Sequence, residues 1–158
     1  MAYTFEDLYE AAEEGEFKKL KKILGADPSL ITGKDDYEFS VLHGAVMTEN
    51  TKMTRYLLDQ GADVNATNDE GISPLHIALY PAIVKCLLEG GADINKKSSD
   101  GSTPLHTQAA DGEERLDVVE LLLAKGADPS ITNNDGQTPL DIAKARQEEE
   151  MIELLSQK

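Results

Sequence analysis

The sequence has no tryptophan, a single cysteine, three phenylalanines and five tyrosines among its 158 residues. One cysteine excludes an internal disulfide. Cys86 sits in the apolar run Ile83-Val84-Lys85-Cys86-Leu87-Leu88, so a buried, inert thiol is expected in place of a reactive one, and a reducing, cytoplasmic setting follows. Basic residues are scarce: 15 against 30 acids, a net charge of −15. Such a field repels nucleic acid and anionic membrane and speeds encounter with basic partners. Long apolar runs are missing too, so no transmembrane helix is expected. The segment Met1 to Glu10 holds acids and no base, unlike a secretory or transit leader.

Signatures of chemistry are equally sparse. The histidines are His43, His76 and His106, spaced far more widely than zinc ligands usually are. No phosphate-cradling glycine loop, nucleophile elbow or Cys-His pair can be found. Catalysis, cofactors and metals are therefore expected to be absent. Lys18, Lys19, Lys21 and Lys22 form the only basic cluster, which reads as a solvated helix face.

What the chain does have is self-similarity. Ser40-Val41-Leu42-His43, Ser73-Pro74-Leu75-His76, Thr103-Pro104-Leu105-His106 and Thr138-Pro139-Leu140-Asp141 each precede a helical apolar pattern, with the leucines 33, 30 and 35 residues apart. Ser or Thr before Pro is a helix start, because the hydroxyl can cap free N–H groups and Pro suits the first helical position. The small residues Ala78, Ala109 and Ala143 permit close helix packing. A second helix follows, carrying Leu57-Leu58, Leu87-Leu88, Leu121-Leu122-Leu123 or Leu154-Leu155. Gly-Ala-Asp at 61–63, 91–93 and 126–128 then stops it. Asp63, Asp93 and Asp128 recur at one repeat position, so they read as turn formers. Glu70-Gly71, Asp100-Gly101 and Asp135-Gly136 mark tight β-turns.

This pattern resembles the ankyrin-repeat family over nearly the whole chain. The resemblance implies an all-α repeat solenoid, an ankyrin stack of antiparallel helix pairs joined by β-turn fingers, in which each unit buries its apolar face on its neighbours. A single domain, 1–158, is expected: an N-terminal capping repeat over 1–34, internal repeats over 35–67, 68–97 and 98–132, and a C-terminal capping repeat over 133–158. It also implies that each histidine hydrogen-bonds near its helix start and to the neighbouring loop.

Three departures stand out. Glu38 replaces the turn glycine in the first full repeat and should resist positive φ, giving that turn a different shape. The second repeat is short, 13 residues from Ala78 to Gly91 against 16 from Ala45 to Gly61, so Pro81 should start its second helix almost at once. The third carries an acidic inter-helix loop, Asp111-Gly112-Glu113-Glu114.

In the family, partners usually meet the concave face, formed by the finger tips and the first helices. Carried over by position, this gives a partner-binding surface of Asp36, Tyr37, Glu38, Phe39, Met47, Asp69, Glu70, Ile72, Tyr80 and Asp100. Aromatics and methionine ringed by acids resemble an interface core with a polar rim, although Phe39 could instead fold onto the next turn and Tyr80 fill the space left by the short loop. The expected function is non-catalytic binding of a basic protein by a free monomer, as an inhibitor or immunity-type protein. The alternative is a scaffold acting through self-association.

Overall fold

A computed structural model describes residues 2–157. Among these residues ten α-helices run in pairs: α1 (Phe5–Glu13) with α2 (Phe17–Ala26), α3 (Val41–Ala45) with α4 (Thr51–Asp59), α5 (Pro74–Ile77) with α6 (Pro81–Glu89), α7 (Pro104–Ala110) with α8 (Leu116–Ala124), and α9 (Pro139–Arg146) with α10 (Glu149–Ser156). First helices pack on first helices and second on second, producing the expected all-α ankyrin stack. Gly44 lets α3 lie close to α1: a Cβ there would stand 3.3 Å from the Tyr9 carbonyl oxygen.

The helix starts follow from their sequences. Ser40, Ser73, Thr103 and Thr138 hold extended backbone before the first turn, and Pro opens α5, α7 and α9. The backbone N–H of Ser40, Ser73 and Thr103 donates to Nδ1 of His43, His76 and His106, each at 3.1 Å. Asp141 does the same for Thr138 through a carboxylate oxygen at 2.9 Å. Gly61, Gly91 and Gly126 end the second helices at φ 98°, 94° and 95°. Asp63, Asp93 and Asp128 then accept the amide two residues on, at 2.9, 3.0 and 2.9 Å.

Pro81 does start α6 directly after Tyr80, and the missing residues leave α5 a single turn long. The consequence reaches into the next repeat. Gln108 stands where the other units carry Ala45, Ala78 and Ala143. Its buried amide donates to the carbonyls of His76 and Ala78, both at 3.0 Å, which the shortened helix leaves without helical donors.

Glu38 overturns the expectation of a different turn. It sits at φ 64°, beside Gly71 at 75°, Gly101 at 81° and Gly136 at 75° in the equivalent turns. The Asp35 carboxylate enforces this by accepting the amides of Tyr37 and Phe39 at 2.9 and 2.8 Å. Asn68 holds Glu70 and Ile72 in the same way, at 3.0 and 2.8 Å. This clamp, with an ion pair from Lys34 at 3.7 Å, overrides the glutamate's resistance to left-handed backbone.

Candidate functional site

The four fingers form a continuous row. The Asp69 amide donates to the Tyr37 carbonyl at 3.0 Å, Ser99 to Glu70 at 2.9 Å and Asn134 to Asp100 at 2.8 Å. Tyr37, Asp69, Glu70 and Asp100 are thus aligned along one edge by backbone bonds. Asp36, Glu38, Asp69 and Glu70 are all exposed there.

Tyr37, at 65% exposure, and Met47, at 41%, are the large hydrophobic side chains found exposed among the described residues. Three other expected contacts are less accessible. Phe39 is half-buried, edge-on to the His43 ring with centroids 5.2 Å apart. Tyr80 is half-buried against the core, because the short inter-helix connection draws it inward. Ile72 is also half-buried, its carbonyl accepting from His43 Nε2 at 2.8 Å.

A cleft of about 310 Å³ opens between the second and third fingers. It brings together Glu70, Ile72 and Asp100 with Ser98, Ser99 and Thr107. Ser99 is one of the turn positions that the family resemblance points to, but Ser98 and Thr107 were missed by the sequence reading. Ser98 opens the turn and Thr107 occupies a variable helix position, so neither type nor spacing marks them. Asp100 is less free than its exposure suggests. One oxygen accepts from the Ser98 hydroxyl and, at 3.0 Å, from the Ser102 amide; the other accepts from the Ser102 hydroxyl at 3.1 Å. These bonds, led by that from Ser98, hold its carboxyl below the usual range.

The histidines are committed to structure. Because each Nδ1 accepts an amide N–H, each Nε2 carries the proton and donates to a carbonyl of the next finger: Ile72 at 2.8 Å, Ser102 at 3.0 Å and Gln137 at 2.9 Å. Burial pushes all three below the ordinary imidazole value. Cys86 is buried, as expected. Among the described residues no three His, Cys, Asp or Glu side chains are grouped to hold a metal, and no helix is long and apolar enough to cross a membrane.

A family model described as ankyrin repeats, three copies, matches residues 8–98 and again 79–158. The chain belongs to the ankyrin-repeat family. Ankyrin repeats mediate contacts between proteins, and the family is typically a non-catalytic interaction module. Among its relatives are the Arabidopsis thaliana potassium channel AKT1, 44% identical over 43% of this chain and 8% of its own length, and the Saccharomyces cerevisiae probable 26S proteasome regulatory subunit p28, 35% identical over 45% of this chain and 32% of its own length. The human ankyrin repeat and SOCS box protein 5 is 34% identical over 49% of this chain and 23% of its own length. The ankyrin repeats here therefore span under a third of the length of any of these three.

Proposed function

We propose that this ankyrin stack binds a protein with a basic surface, using the finger row and the exposed end of α3. One observation carries the reading. Tyr37 and Met47, the large hydrophobics exposed among the described residues, fall in the same helix-finger unit, and the exposed acids Asp36, Glu38, Asp69 and Glu70 flank Tyr37 along the row. An apolar anchor with a charged rim is how protein interfaces are built, and the net charge of −15 steers basic partners toward it. The relatives support a portable binding module: a channel, a proteasome subunit and a SOCS box protein share only the repeat segment with this chain. A finer form of the same reading is inhibition, in which the acidic row covers a basic active site as an immunity-type protein would.

A photo-crosslinker placed at Tyr37 tests this. The captured protein should present basic residues, and its binding should weaken at least about tenfold on joint Tyr37→Ala and Met47→Ala substitution, the size expected of interface anchors. It should also weaken as salt rises. Affinity unchanged by the substitutions would rule out this face. If the captured protein is an enzyme, loss of its activity on binding separates inhibition from scaffolding.

A further inference from the structure

The second helices form one side of the stack: α4 packs on α6, α6 on α8 and α8 on α10, while Phe17 and Tyr56 join α2 to α4 edge-to-face at 5.5 Å. Their exposed charges are graded along this row. α2 presents Lys18, Lys19, Lys21 and Lys22 with no acid; α4 presents Lys52 and Arg55 against Asp59; α6 presents Lys85 and Glu89. α8 presents Asp117 and Glu120, and α10 Glu149, Glu150 and Glu153, with no base in either helix. Within the helices the formal charge thus runs +4, +1, 0, −2, −3. Adding the cap residues Glu16, Asp27, Arg115, Lys125 and Glu148 gives +2, +1, 0, 0, −4, in the same order.

Most of this charge is uncommitted. Arg55 reaches Glu89 at 3.5 Å and Lys19 pairs with Glu10 and Glu16. The other lysines of α2, Lys52, and the five acids of α8 and α10 make no ion pair among the described residues. Each end also offers apolar surface. Lys21 lies over the half-buried rings of Phe17 and Tyr56, 5.5 and 5.8 Å from their centroids. The groove between α8 and α10 includes Leu116 and Leu154 beside Glu120, Glu150 and Glu153.

We infer that this outer face is a self-complementary interface for a second copy of the chain in antiparallel order, α2 over α10, α4 over α8 and α6 over itself. The grading selects that arrangement. Reversing one copy sets positive helices on negative ones and the neutral helix on the two-fold axis, whereas parallel order sets like on like. A two-fold contact closes on itself, which is the commonest form of homo-oligomer. The net charge of −15 favours separate copies at long range. At physiological salt, screening over about 8 Å weakens that repulsion more than it weakens pairs in contact. The finger row stays free, so this contact is independent of partner binding.

Sedimentation of the full chain tests the inference, up to about 1 mM so that weak association registers. At physiological salt the mass should rise to a dimer and stop, with dissociation as salt is raised further and the contact pairs are screened. The joint substitutions K18E and K22E should weaken the dimer by about tenfold or more, because each change acts twice across the axis. E150K with E153K should do the same, and combining all four should restore it. Thermal melts matched to the parent guard against misfolding. As a second readout, Lys22→Cys on one copy should form a disulfide with Glu153→Cys on another, with Cys86 buried and out of competition. A monomer throughout, a dimer indifferent to the reversals, assembly growing beyond two copies, or no crosslink would each overturn the proposal. Tyr37→Ala with Met47→Ala should leave the dimer unchanged.

Discussion

Gln108 and Glu38 are the two residues whose identities make sense only through their neighbours. Replacing Gln108 by Ala would install the residue that Ala45, Ala78 and Ala143 supply in the other units, so a repeat-consensus argument predicts stabilisation. The structure predicts the opposite. The His76 carbonyl keeps the Thr107 hydroxyl at 3.0 Å, but the Ala78 carbonyl loses its donor inside the core. The cost should be about 1–3 kcal/mol, typical of a stranded buried acceptor, offset in part because the Gln108 side-chain oxygen itself has no partner. Urea unfolding of Gln108→Ala decides between the two: a rise in stability would refute the capping role. Glu38 works in the other sense. Its left-handed backbone costs roughly 1–2 kcal/mol for a residue bearing Cβ. Glycine would remove that cost while adding unfolded-chain entropy and giving up the exposed Lys34 pair, which contributes little. Glu38→Gly should therefore stabilise the fold by up to about 1 kcal/mol, read from the same titration. It should also weaken a basic partner, since it removes an acid from the finger row.

The connections from α3, α5 and α7 to the next finger each hang on a histidine, and this makes the elements sensitive to pH. Folded-state values lie below the ordinary 6.5 for His43, His76 and His106 because burial disfavours the charged ring. Between the unfolded value and the depressed one, the unfolded chain binds more protons, so stability is complete above about pH 6.5 and declines as pH falls through that window. With three rings the slope can approach about 4 kcal/mol per pH unit. Asp100, depressed from 3.8, loses its contribution only at lower pH. Urea midpoints across pH 7.5 to about 5 should show the decline, and a flat profile would contradict it. The helix pairs and finger turns were legible in the sequence because Ser/Thr-Pro starts, Gly stops and Asp turn formers act locally. The Glu38 turn was misread because the Asp35 clamp, three residues earlier, outweighs intrinsic backbone preference. Gln108 went unnoticed since its partners lie 30 and 32 residues away. At the candidate site, residue types marked Tyr37 and Met47, but the partial burial of Phe39 and Tyr80 depends on packing that no single repeat displays.

Across the whole molecule the core is not continuous. One buried cluster joins α1 to α4, from Leu8 to Leu57; the other runs from Val46 and Leu75 to Leu155, with Leu58 packed against both. The seam lies between α3 and α5, where α5 is a single turn and offers little surface to its neighbour. Polar bonds cross it: His43 Nε2 to the Ile72 carbonyl at 2.8 Å, the Asp69 amide to Tyr37 at 3.0 Å, and Lys34 Nζ to the Thr67 carbonyl at 2.8 Å. In a stack stabilised by nearest-neighbour contacts, the weakest interface sets where cooperativity breaks. Residues 5–59 should therefore open as one unit, before residues 74–156, because their cluster is the smaller and the unpaired lysines of α2 repel one another. Native-state hydrogen exchange should resolve two sets of amides with distinct opening free energies, divided between α4 and α5. Leu42→Ala should lower protection in the first set alone, and acidification should lower the protection of the Ser40, Ser73 and Thr103 amides, because a protonated Nδ1 of His43, His76 or His106 can no longer accept them. One isotherm shared by α1 through α10 would mean that the polar bonds across the seam couple the halves as strongly as a continuous core does.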